Sequence, residues 1–299
     1  MHSGSAKGKM AVRRRHRGRL WPSATPESYT RAMPGPVMLS LSALAALLPA
    51  SFLSYRREAR GPDLVFWAVV AVALAGPAAT SLAQLGGGWR TGLSVTLWMS
   101  VAVSMATFTV LAVVMREAWR LTPLLLPYLV VLGALATVWS NVPETGALAA
   151  PLDVWLTVHI LVSLATYGLC TIAAVAGAAV LIQERALRRK RPTALTHRLP
   201  SVSDASGLQV RLLTASEVVL ALGILTGMAR QYLSTGDLFQ FDHKTLLSVL
   251  AFAVIGLLLV LHHRTGLRGQ RAARLILLAY LLLTLAYPGV KFVTDVLAG

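Results

Sequence analysis

The chain has 299 residues, of which 56% are hydrophobic and only 13% charged, and its 28 Lys and Arg against 12 Asp and Glu leave a formal charge of +16. A soluble globular domain carries about 25% charged residues and a disordered chain far fewer apolar ones, so both classes are excluded and a lipid-embedded protein remains. In that setting the positive balance reflects loops held on the cytoplasmic side rather than affinity for nucleic acid.

A helix needs about 20 mostly apolar residues to cross the hydrocarbon core. After a basic tail over residues 1–35, eight stretches qualify in chain order: 36–53, 64–85, 92–114, 121–139, 154–182, 212–233, 244–262 and 272–294. No period-2 alternation runs along the chain, which disfavours a transmembrane barrel. The expected fold is therefore all-α and polytopic, with about eight transmembrane helices. It divides into an N-terminal group at 36–145 and a C-terminal group at 146–299.

Loops 54–63, 115–120, 183–211 and 263–271 with the next helical turn hold 16 Lys and Arg, seven of them between Arg185 and Arg211. The other face holds Arg90, Arg230, Lys244 and Lys291. The positive-inside rule places the first set in the cytoplasm and both termini outside, as in a multi-pass protein of a bacterial inner membrane. The tail breaks the rule, with eight basic residues between Lys7 and Arg31. Two readings are open: translation starts at Met33 or Met38, or the first span does not cross and the tail stays inside. The first is favoured, and a twin-arginine signal is a weaker third.

The candidate chemistry is sparse. The single cysteine, Cys170, allows no internal disulfide, and no C-x-x-C-H run exists to hold a haem covalently. P-loop, GxSxG and HExxH motifs are absent. His159 lies near the outer end of the fifth span, and His159, Ser163, Thr166, Tyr167 and Cys170 follow steps of three and four along one helix face. A polar stripe of this kind is expected to face other helices or a cavity. Two roles are open to His159: hydrogen bonding between helices, or an axial ligand lining a cofactor pocket. His243 and His262 stand about 28 Å apart on the seventh span, so only His243 shares the outer level of His159. Glu217 is expected to pair with Arg211, and the tryptophans, Trp98 among them, to mark the membrane interfaces.

The second half carries an ordered set of features. Val-His opens a long span with Tyr167, then LIQERALRRKR, LPSVSDASGL and a span ending LGILTGM. The outer loop STGDLFQFDHKTLLS follows, then GLRGQRAA and a final LTLAYPGVKFV. Over about residues 150–295 this order resembles the cytochrome c assembly family of haem-handling membrane proteins (the CcsA/CcmC type), and most closely its HemX- or YpjD-like eight-helix branch. The resemblance implies haem held near the outer face. His159 would be a ligand to the haem iron, with His243 as the second. Phe239 and Phe241 would stack on the ring, Tyr167 and Asp242 belong to the same region, and Lys244 or Lys291 would meet the propionates. The family's loop tryptophans are replaced here, and its outward histidine beyond the last span has no counterpart. These departures weigh against haem export or cytochrome c ligation and leave haem binding, without enzymatic activity, as the implied function. The partners implied are membrane lipid and cytochrome c maturation or haem-biosynthesis proteins, with no nucleic acid. The alternatives are a haem-free membrane adaptor that stabilises such a partner, and a small-molecule transporter.

Overall fold

The computed structural model describes residues 35–56, 61–85, 92–115, 117–141, 154–236, 243–266, 269–289 and 292–293. Among these the regular elements are all helical: α1 (Pro36–Arg56), α2 (Leu64–Leu85), α3 (Leu93–Val114), α4 (Thr122–Val138), α5 (Val154–Arg189), α6 (Ala194–Arg198), α7 (Val202–Thr235), α8 (His243–Thr265) and α9 (Gln270–Thr284). Among the described residues seven helical segments are long and apolar enough to span a bilayer, and they coincide with the first seven predicted stretches. The eighth differs. α9 runs 15 residues as α-helix and then widens into a π-type turn over Leu285–Gly289. Pro288 sits in that turn and has no N–H to donate to the carbonyl four residues back, which explains why the regular ladder gives way there.

Hydropathy misjudged the connection between the fifth and sixth spans. It suggested a loop over 183–211, but α5 continues to Arg189 and α7 already starts at Val202. Apolarity stops where the bilayer stops, whereas helix propensity does not, and the run ERALRR is rich in helix formers. Glu184 and Arg188 face each other at i and i+4, 3.8 Å apart. The turn itself is heavily capped. Thr193 and Thr196 form a reciprocal capping box on α6, and the Asp204 N–H donates to Ser201 Oγ at 3.1 Å to start α7. Gln183 Nε2 donates to the carbonyls of Thr196 (2.8 Å) and Pro200 (3.0 Å), tying the end of α5 to the turn.

α5 is the axis of the bundle. It packs against α3 on one side and α7 and α9 on others, and α8 lies against α7 and α9. From Leu164 to Val180 nearly every side chain is buried, and the wall is made of small residues: Ala173, Ala174, Ala176, Gly177 and Ala179. Small residues let backbones approach closely, which is the main source of helix association in lipid. α1 to α4 form a second layer around Trp98, which is fully buried and donates from Nε1 to Ser40 Oγ at 3.1 Å. Trp98 is therefore a core residue and not an interface marker. Its position a turn and a half into α3, with Ser40 on α1 able to accept from the indole, accounts for the burial.

Candidate functional site

The outer third of α5 is less enclosed than the rest. Val154, Trp155, Val158, Leu161 and Ser163 are exposed, and full burial begins only at Leu164. The polar stripe thus turns inward from Thr166 onwards, and Ser163 does not face another helix. His159 is half-buried and turned toward α7. Its Nδ1 lies 3.1 Å from the Gly223 carbonyl oxygen and 3.3 Å from Thr226 Oγ1. A carbonyl can only accept, so Nδ1 carries the hydrogen and Nε2 keeps its lone pair. That is the tautomer of a metal-ligating imidazole, whose second nitrogen is oriented by a carbonyl behind it.

Gly227 completes this seat. A Cβ at that position would come within 3.1 Å of His159 Cε1, so this side of the imidazole packs closely against bare backbone. Arg230, one turn further on the same face of α7, is near enough to act on His159 through its charge. Among the described residues it has no carboxylate partner. In the sequence Arg230 stands out only as an outer basic residue. The signal for its place in the seat is the spacing of Thr226, Gly227 and Arg230, which places all three on one face.

The other expected members of the site divide into two groups. Phe239, Phe241 and Asp242 lie outside the described residues. His243 and Lys244 begin α8, and only their backbone is described. Register can still be followed through Gly256, where a Cβ would meet Glu217 Oε1 at 2.9 Å. Counting from that crossing at 1.5 Å per residue, His243 stands about 20 Å up α8, and the Gly223–Gly227 seat stands about 9–15 Å up α7. Both histidines are at the same end of the bundle, with His243 one to two turns nearer the end. His262, at the far end of α8, is remote from both.

Tyr167 is brought to a different place. It is buried eight residues, about 12 Å, further along α5 than His159. There the Tyr280 hydroxyl donates to the Tyr167 hydroxyl at 3.1 Å and accepts from Thr171 Oγ1 at 3.1 Å. Tyr128 of α4 shares a short hydrogen bond with the same Tyr280 oxygen. Three tyrosines from α4, α5 and α9 thus meet in the interior, and none of them reaches the His159 seat. Glu217 also departs from expectation, because it forms no ion pair with Arg211. Six residues turn the helix through 600°, which leaves the two side chains on different faces. Glu217 points at α8, and its Oε2 is buried without a hydrogen-bond partner. Among the described residues no group of three or more His, Cys, Asp and Glu side chains could hold a bare metal ion. A single imidazole nitrogen with an oriented back side suits an iron whose equatorial positions are already filled by a macrocycle.

A family model described as cytochrome C assembly protein matches residues 63–298. An uncharacterized 28.8 kDa protein in a nifR3-like 5' region of Azospirillum brasilense is 53% identical over 267 residues, covering 88% of this chain and 98% of that protein. Protein HemX of Brevibacillus brevis is 29% identical over 134 residues, 45% of this chain and 49% of its own. Inner membrane protein YpjD of Escherichia coli K12 is 28% identical over 200 residues, 66% and 73% respectively. No solved structure matches the chain. With most of its length accounted for by one family model, this all-α polytopic membrane protein belongs to the cytochrome c assembly protein family.

Proposed function

We propose that this chain is a haem-binding protein of the bacterial inner membrane, related to cytochrome c biogenesis, which positions haem near the outer end of α5 and does not itself catalyse a reaction. The observation that carries the reading is the His159 seat, where a donated Nδ1 hydrogen leaves Nε2 available as an axial ligand. His243 would supply the second nitrogen, Phe239 and Phe241 the stacking surface, and Asp242 polar contacts at the rim. Arg230, with Lys244 or Lys291, would meet the propionate carboxylates. When bound, haem supplies iron-centred ligand exchange and electron transfer. The protein's own contribution is to hold the imidazole in one tautomer and orientation and to cover the ring with apolar side chains. Tyr167 is left out of this set because its hydroxyl is committed to Tyr280.

The test is an absorbance titration of detergent-purified protein with haem. Wild type should develop a Soret band, H159A should lose most of it with insertion intact, and H262A should match wild type. H243A should change a six-coordinate spectrum to a five-coordinate one. An unchanged Soret band in H159A would refute the ligand assignment. A wild-type protein that takes up no haem would favour the adaptor, for which the bonds from His159 to Gly223 and Thr226 serve as a clip between α5 and α7.

A further inference from the structure

At the end of the bundle opposite His159, a cavity of about 60 Å³ opens between α1, α2, the turn leading into α4, and α6. Its inner wall is apolar, formed by Ala50, Val69, Val70 and Phe66. Its mouth holds Arg120, Arg198 and Trp119. The mouth sits where helices end. Tyr55 OH donates to the Pro123 carbonyl at 2.7 Å, and Arg198 Nη1 reaches the Ser54 carbonyl at 3.4 Å, so the ends of α1, α4 and α6 converge there. This is the basic end of the molecule, which also carries Arg56 and the arginines at the end of α5.

The two guanidinium groups keep donors to spare. Arg198 is half-buried and, among the described residues, has that one long hydrogen bond and no carboxylate. Arg120 lies 5.5 Å over the Trp119 ring and 3.5 Å from Glu117, a carboxylate whose side chain is 45% exposed. A guanidinium presents a fork of donors that matches phosphate oxygens, and basic pockets between transmembrane helices hold anionic headgroups. The apolar inner wall distinguishes a lipid from free phosphate, since only a lipid brings methylenes to cover it. Pockets that enclose a whole drug-sized ligand run about 300–1,000 Å³. This cavity therefore encloses neither a macrocycle nor an entire lipid, and has room only for a phosphate and the first methylenes of a chain that continues outside it.

We propose that this cavity binds one anionic phospholipid, with its phosphate between Arg120 and Arg198 and the start of an acyl chain against Ala50, Val69 and Val70. This goes beyond general immersion in a bilayer, and it is independent of the haem site at the other end. Each basic group near an anionic headgroup adds several-fold in affinity, and Glu117 offsets part of one, so roughly five- to tenfold preference for anionic over zwitterionic lipid is expected.

Native mass spectrometry of the full chain, released from nanodiscs of equal phosphatidylglycerol and phosphatidylcholine, reads this directly. One phosphatidylglycerol should be retained in that excess. R120Q/R198Q should abolish the preference, and R120K/R198K should keep most of it. V69F, which fills the inner wall and leaves the arginines in place, should reduce retention of both lipids. Equal retention of the two lipids by wild type would overturn the proposal, as would a preference surviving in R120Q/R198Q or retention untouched in V69F. Displacement of the lipid by millimolar glycerol 1-phosphate would point to a free-phosphate site instead. Loss of haem titration in R120Q/R198Q would also overturn it, because the cavity would then not be independent of the haem site.

Discussion

The imidazole of His159 rests on a glycine that leaves little room for a side chain. A methyl group on Gly227 would stand 3.1 Å from Cε1 and 3.4 Å from Nδ1, so G227A requires the ring to give by a few tenths of an ångström and is expected to strain its bond to the Gly223 carbonyl. Overpacking of this kind costs about 1–3 kcal/mol, and thermal unfolding of the solubilised protein should report it together with weaker haem uptake. Gly223 is the internal control. A Cβ there meets only Val162 Cγ1 at 3.5 Å, and the carbonyl that His159 uses is retained. G223A should therefore be neutral or more stable by up to about 1 kcal/mol, because alanine is the better helix former. Glu217 offers the opposite case of a polar group whose removal should help. Its Oε2 is buried without a partner, so E217M, similar in length, should raise stability by about 1 kcal/mol or more in the same melt.

Between elements, the Tyr128–Tyr167–Tyr280 cluster connects α4 to α5 and α9, and Tyr280 is its hub. Y280F removes the oxygen that Tyr128, Tyr167 and Thr171 all use and should cost about 2–3 kcal/mol, while Y128F should cost about 1 kcal/mol. The double variant Y128F/Y280F should be little worse than Y280F alone, because both changes remove the same bond. A denaturation series on the three proteins measures this coupling. None of it was legible in the sequence. Tyr128 and Tyr280 are 152 residues apart, and nothing local to LLPYLVV or LLAYLLL announces that the two face each other. The spans themselves were legible because bilayer thickness imposes a length on each apolar run. His159 was legible because a polar stripe stands out on an apolar helix. The extension of α5 to Arg189, the burial of Trp98 and the isolation of Glu217 were not, since each depends on which neighbour a helix meets.

For the molecule as a whole, the basic segments that hydropathy separated along the chain are gathered at one end by contacts such as Tyr55 with Pro123 and Arg198 with Ser54. The positive-inside rule predicts that this end faces the cytoplasm, with His159 and the C-terminus outside. A GFP fusion after residue 195 should fluoresce, and an alkaline phosphatase fusion at the C-terminus should be active. Phosphatase activity from a fusion at 195 would reverse the orientation and put the histidine seat on the cytoplasmic side.

The central position of α5 also sets an order of events during synthesis. Its wall of alanines and glycine gives lipid little to hold, and its neighbours arrive at different times. α3 is already inserted when α5 emerges, but α9 is completed about 100 residues later. At ordinary elongation rates of about 5–20 residues per second, one flank of α5 waits on the order of 5–20 s for its partner. During that interval the Thr171 hydroxyl and the Tyr167 ring face lipid or the insertion machinery, because Tyr280 has not yet been made. A chain that stops before Gln270 would keep that flank bare indefinitely, a ready signal for a membrane protease to distinguish an aborted product from a finished one.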